Sequence, residues 1–182
     1  MKRIAEFILE GCFLKQVPRS GYQFLGAGDE SVAEHVYCTI FIAFVLSQLE
    51  PRADARRLLT MCLLHDLPEA RIGDLNYVQK AYVQADEGLA LSHSLDGLAF
   101  GDNVRAMLDE FNAGQTLEAR LAHDADQLAL VCDLTVLRGV GYTTPRTWLP
   151  HVLERLKTET GRQLAKALSE QPHDAWWRKL FC

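Results

Sequence analysis

A chain of 182 residues, 48% of them hydrophobic, is long enough to bury a core without disulfides or a structural metal, and it reads most simply as one domain over residues 1–182. The net charge of -5 and a pI near 5.7 give no basic footprint, which argues against nucleic acid or an anionic membrane surface as the main partner. Glu6 and Glu10 interrupt the apolar stretch that a signal peptide would need after Met1-Lys2-Arg3, so a mature cytoplasmic chain with no membrane span is expected.

In chain order, Ile4, Phe7, Ile8 and Leu14 share one side of a first helix, and Pro18, Gly21, Gly26 and Gly28 then mark a loop. Ser31-Val32-Ala33-Glu34 has the form of a capping box, opening a helix that runs to Leu49 and stops before Pro51. Asp54 can cap the next helix, in which Leu58, Met61, Cys62 and His65 recur on one face. Further helices are predicted from about Tyr77 to Ala85 and from Ala90 to Leu98. Asp102 is expected to cap a helix carrying Val104, Met107, Leu108 and Phe111, which ends at Asn112 and Gly114. Thr116 caps a long helix to about Leu137, apolar on most sides and therefore central. After Gly139, Gly141 and Pro145, one helix bears Val152, Leu153, Leu156, Leu164 and Leu168, and a short amphipathic tail spans Asp174 to Phe181. Within the tail, Trp176-Trp177 suits either a subunit contact or packing back onto the domain.

No run alternates like a strand, so the expected fold is all-α, with a core at about 31–137 and C-terminal helices at 145–182 packing on it. The five cysteines, Cys12, Cys38, Cys62, Cys132 and Cys182, are odd in number and form no Cys-x-x-Cys pair; buried free thiols are the expectation.

Chemistry concentrates at His65-Asp66, which closes the apolar run Leu58-Leu59-Thr60-Met61-Cys62-Leu63-Leu64. Burying both side chains without a partner is costly, and a cation would supply the partner. At 100° per residue, His35 falls with Cys38, Ile42, Val45, Leu46 and Leu49 and so faces inward from a separate helix. The long helix contributes Asp124 or Asp126. Two imidazoles and two carboxylates suit a borderline divalent transition metal with positions left open for water or substrate. Glu69 and Asp74 add hard oxygen ligands just downstream. Glu34 is explained by its capping box, and His93, His123, His151 and His173 read as surface or cap residues.

Four ordered blocks make this pattern specific: Leu14-Lys15 with Arg19 and Gly21-Tyr22; Glu30-Ser31-Val32-Ala33-Glu34-His35; His65-Asp66-Leu67-Pro68-Glu69-Ala70 with Gly73-Asp74; and Glu118-Ala119 leading to Asp124-Ala125-Asp126-Gln127-Leu128. Together they resemble the HD-domain metal-dependent phosphohydrolases, most of all the small subgroup that includes 5'-deoxynucleotidases. The resemblance implies a 5'-nucleotidase that hydrolyses (deoxy)nucleoside 5'-monophosphates as a homodimer. It places a divalent cation (Mn, Co, Fe, Ni, Zn or Mg) on His35, His65, Asp66 and Asp126. Glu69 and Asp74 would support catalysis and Arg19 would meet the phosphate. Tyr22 stands near the sugar, where the subgroup often has tryptophan. Periodicity and resemblance differ over the last ligand. A helical wheel puts Asp124 in the Leu121, Leu128, Thr135 stripe and Asp126 opposite, with Ala119, Ala122, Ala129 and Asp133; the register of Glu118-Ala119 selects Asp126. Alternative readings are an HD-type hydrolase of nucleoside triphosphates or phosphodiesters, and a non-catalytic module stabilised by metal.

Overall fold

The structure, a computed structural model, describes residues 1–181; Cys182 lies outside the described residues. The described residues form helices α1 (Lys2–Phe13), α2 (Tyr22–Leu25), α3 (Val32–Leu49), α4 (Ala55–Leu64), α5 (Glu69–Ile72), α6 (Tyr77–Lys80), α7 (Glu87–Leu95), α8 (Gly101–Ala113), α9 (Leu117–Gly139), α10 (Pro145–Leu153), α11 (Glu159–Glu170) and α12 (Ala175–Arg178), with a 3-10 turn at Leu14–Gln16. The fold is all-α, as expected: among the described residues the one β-type pairing is an isolated antiparallel bridge between Pro18 and Ser31.

α9 is the hub, with α3, α4, α8, α10 and α11 packed around it. Its sequence permits this because Ala119, Ala122, Ala125 and Ala129 are buried and let neighbouring helices approach, while Leu121, Leu128, Val131 and Leu134 fill the space between them. Leu58, Met61 and Cys62 of α4 and Ile42, Ala43 and Leu46 of α3 complete the main cluster. Burying each of the larger side chains contributes roughly 1.5–3 kcal/mol.

α3 begins as its sequence dictates. The Ser31 hydroxyl accepts from the Glu34 N–H at 3.2 Å, and Glu34 Oε2 accepts from the Ser31 N–H at 2.7 Å. By length and composition α3 is apolar enough to cross a membrane, with a mean hydropathy of 1.5 over 18 residues. Its inner face, including His35, Thr39, Ala43 and Leu46, is packed into the core, while Tyr37, Phe41 and Phe44 are exposed.

The structure corrects several expected boundaries. The helix at Tyr77 ends at Lys80 instead of reaching Ala85; Asn76 caps it, and only one turn forms. Asp102 lies inside the first turn of α8, which starts at Gly101 with no side-chain cap. The single helix expected through Val152 and Leu168 is two, α10 and α11, separated at residues 154–158. That break has a tertiary cause. Asp124, fully buried, accepts from Lys157 N–H at 2.6 Å and from both the N–H and the hydroxyl of Thr158 at 2.9 and 2.5 Å. Thr158 then caps α11 by accepting from Gly161 N–H at 2.9 Å. Gly161 sits directly against the Asp124 carboxylate, where a Cβ would collide.

Among the described cysteines, Cys12, Cys38, Cys62 and Cys132 are all free thiols, yet Cys62 alone is buried and Cys12 is exposed. His123 also departs from its surface reading: it donates from Nε2 to the Phe111 carbonyl at 2.8 Å and stacks on the Phe111 ring.

Candidate metal centre and its cleft

Three helices converge to build the site. His35 comes from the second turn of α3, His65 from the C-terminal end of α4, and Asp126 from the first half of α9. One ligand atom from each lies within 4.8 Å of the others, so the trio is able to hold a metal ion. Asp66 borders it, with Oδ2 at 3.2 Å from His65 Nε2 and 3.7 Å from His35 Nε2.

The protonation of His65 follows from one contact. Its Nδ1 lies 2.9 Å from the Cys62 carbonyl, which can only accept, so Nδ1 carries the proton and Nε2 presents a lone pair. That lone pair faces another acceptor, Asp66 Oδ2. Both atoms are buried and without a hydrogen-bond partner. Two opposed acceptors at 3.2 Å repel unless a proton or cation stands between them, and a cation satisfies both. The donor set therefore fits a divalent metal.

Elsewhere the cluster compensates internally. His35 Nε2 lies 2.9 Å from Asp126 Oδ1. Burial works against protonation of His35, but the Asp126 hydrogen bond and the charges of Asp126 and Asp66 outweigh it and hold the pKa above the usual imidazole value. For Asp126, burial favours the neutral acid, yet the His35 bond and the charges of His35, His65 and Arg19 keep it well below the carboxylate range. Glu30 approaches the far side of the His35 ring, 4.0 Å from Nδ1, and burial together with Asp133 pushes its pKa up to about 7.

The remaining predicted residues line a cleft of about 260 Å³ above the trio, which includes Arg19, Tyr22, Asp66, Glu69, Asp74 and Asp126. Arg19 reaches it because the Pro18–Ser31 bridge, with Arg19 N–H donating to the Glu30 carbonyl at 2.8 Å, ties this loop to the start of α3. Its Nη1 stands 3.8 Å from Asp66 and 3.7 Å from Asp74. Gly73 is at φ 75°, ψ 164°, a region only glycine occupies readily, and the turn it makes sends Asp74 back to accept from Ser20 N–H at 2.9 Å. Asp74 thus anchors the segment carrying Arg19.

Glu69 Oε2 is buried and unpartnered. Burial, reinforced by Asp66 and Asp74, raises its pKa far above the normal glutamate value. Tyr22 donates toward Glu30 at 3.4 Å and faces Asp133, and burial plus these acids raises its pKa as well. Asp124 takes no part, since its carboxylate is consumed by the α11 cap, whereas Asp126 faces the cleft.

Sequence reasoning missed Tyr77, Lys80, Gln127, Trp148 and Arg155, which also line the cleft. They come from α6, α9 and α10 and the segment after it, and no local pattern links them. Glu30 and Asp133 escaped as well, although Asp133 does lie on the small-residue stripe of α9 that carries Asp126.

An all-helical domain with a His/His/Asp cluster at the junction of three helices defines a candidate metal-binding domain. The description of the matching family is "HD domain", and the match covers residues 13–168. The chain belongs to the HD-domain family.

Comparison with curated proteins returns no match. Among solved structures, a conserved hypothetical protein from Pyrococcus furiosus is 27% identical, with a TM-score of 0.77 over 92% of this chain and 99% of its own. The PH0347 protein from Pyrococcus horikoshii OT3 is 26% identical, with a TM-score of 0.74 over 91% and 98%. A protein from Magnetospirillum magnetotacticum MS-1, described as a "predicted metal-dependent phosphohydrolase", shares the fold at 22% identity and a TM-score of 0.72 over 92% and 89%.

Proposed function

We propose that this protein is a metal-dependent phosphomonoesterase acting on nucleoside 5'-monophosphates, with deoxynucleotides as the preferred class. The observation that carries the reading is a pair of opposed, orphaned acceptors, His65 Nε2 and Asp66 Oδ2, of which Asp66 lines one cleft together with the guanidinium of Arg19. His35, His65 and Asp126 would hold a divalent cation, with Asp66 completing the set. When bound, such an ion supplies Lewis acidity toward a phosphoryl oxygen and lowers the pKa of water from 15.7 to about 7.

The protein's own groups do the rest. Arg19 offers a fork of donors to the phosphate, held in place by Asp74. Glu69 retains its proton near neutral pH and is suited to protonate the alkoxide of the leaving nucleoside at its own Oε2. The nucleotide preference, and with it a place for Tyr22 near the sugar, rests on the sequence resemblance to the 5'-deoxynucleotidase subgroup; Tyr22 lines the same cleft, and its hydroxyl donates toward Glu30.

Purified protein, stripped by chelation and resupplied with single metals, should release inorganic phosphate from nucleoside monophosphates. Glu69→Gln should lower kcat by roughly 10²–10⁴. No metal-restored phosphate from any nucleotide would sink the proposal, and release of triphosphate or a new monoester would assign a different phosphorus bond.

A further inference from the structure

The cleft is lined by two chemically different sets of residues. Arg19 and the carboxylates of Asp66, Glu69, Asp74 and Asp126 are one, and Leu130 and Trp148 belong to the other. Tyr77, Leu130, Trp148 and Arg155 also line an adjoining hollow of about 170 Å³. Trp148 is half-buried and packs on the cluster of Leu25, Val131, Leu134, Leu137 and Val152, so its ring is held from behind while part of it still borders both hollows. At the rim, the Arg155 guanidinium lies 5.0 Å from the centroid of the exposed Tyr77 ring. Arg155 Nη1 donates to Gln127 Oε1 at 3.4 Å, and Gln127 Nε2 donates to Asp126 Oδ2 at 2.8 Å. A continuous polar chain therefore runs from the rim to a member of the metal-capable trio.

We propose that Trp148, Leu130, Tyr77 and Arg155 form a subsite for a flat nitrogenous ring carried on the leaving group, that is, a nucleobase. A supported indole beside an aliphatic side chain is a stacking surface that accepts any base by its π-face. Guanidinium groups favour planar partners, and Arg155 and Gln127 offer donors to ring carbonyl or ring nitrogen atoms at the edge. An acyl chain or a bare sugar phosphate would leave these groups unused. Orientation follows from charge: the phosphate goes to Arg19 and the ring to Trp148 and Leu130, which also line the adjoining hollow. The phosphate half of this assignment rests on the phosphomonoesterase reading, whereas the ring half does not.

The test compares 2'-deoxyadenosine 5'-monophosphate with 2-deoxyribose 5-phosphate on wild type, Trp148→Ala, Trp148→Phe and Tyr77→Leu, each checked for helical content. Trp148→Ala should reduce the ratio of kcat/KM for the nucleotide to that for the sugar phosphate by roughly tenfold, chiefly through KM. Trp148→Phe should restore most of the ratio. An unchanged ratio, or equal losses on both esters, overturns the assignment. Should Trp148→Ala not fold, Tyr77→Leu, at an exposed position, decides the matter through the same ratio, with a fall of about threefold expected. If neither ester is hydrolysed by any metal-loaded protein, the phosphatase reading fails on its own. The ring subsite is then judged by calorimetry with phosphate-free 2'-deoxyadenosine: binding weakened about tenfold in the variant supports it, and equal or no binding overturns it.

Discussion

Asp124 and Asp126, near neighbours on α9, should have opposite effects on metal content when altered. Asp124→Asn keeps the shape of the side chain but exchanges one carboxylate oxygen for an amide nitrogen. In the native chain Oδ1 accepts from Lys157 N–H and Oδ2 accepts from Thr158 N–H and its hydroxyl. Whichever way the amide is turned, an NH₂ group then faces a backbone N–H in a fully buried place with no room to adjust, because Gly161 closes it from the other side. Losing one or two hydrogen bonds to a charged acceptor costs about 2–4 kcal/mol. For a chain of this length that corresponds to a fall in Tm of roughly 4–16 °C. Metal content should be unchanged, since Asp124 is spent on the α11 cap. Asp126→Asn should instead abolish stoichiometric metal, and in the metal-free protein it also removes the charge from the bond to His35. Thermal melts of chelated samples and elemental analysis of metal-loaded samples read the two effects separately. The reasoning is refuted if Asp124→Asn loses metal without losing stability, or if Asp126→Asn retains a full complement.

Adding a divalent transition metal at a thousandfold excess over its Kd should raise stability by about 4 kcal/mol and Tm by roughly 8–16 °C, read by scanning fluorimetry against a chelated control; identical melts would mean that the His/His/Asp cluster binds nothing. Arg19→Lys should lower kcat/KM for a phosphate monoester by roughly 10–100-fold because a single ammonium cannot replace the fork, and a loss under about threefold would remove Arg19 from phosphate recognition. Glu30 supplies a pH signature. Its pKa is raised from 4.5 to about 7, so the folded metal-free protein holds a proton that the unfolded chain has released, and stability contributed at acidic pH is lost as pH rises from about 4.5 to about 7. The Glu30→Gln protein should lack this component, on the order of 2–3 kcal/mol, when urea unfolding at about pH 5 and pH 8 is compared. An equal pH dependence in both proteins would show that Glu30 ionises normally.

What was legible in the sequence was whatever short-range periodicity and capping encode. The capping box at Ser31 and Glu34, the caps at Asp54 and Thr116, and the inward faces of His35 and His65 depend on residues a few positions apart, and the structure reproduces them. The all-α class follows from the same source, because apolar spacing near 3.6 persists along the chain and no alternating run competes with it.

The choice between Asp124 and Asp126 lay beyond that reach. A helical wheel identifies Asp124 as the more buried residue, and so it is, but burial is equally served by a metal or by backbone donors from residues 157 and 158, and the wheel carries no information about what arrives from 33 positions away. The same long-range contact splits α10 from α11, which local pattern had joined. The cleft is tertiary in the same sense: Arg19, Glu69, Tyr77, Trp148 and Arg155 sit on separate elements with no common spacing, and the packing of helices on α9 is what brings them to one place. Sequence alone determined which faces are apolar and where helices start. The tertiary structure decided which carboxylate holds the capping residue of a helix and which stands beside His35 and His65, because that depends on the partners each one meets.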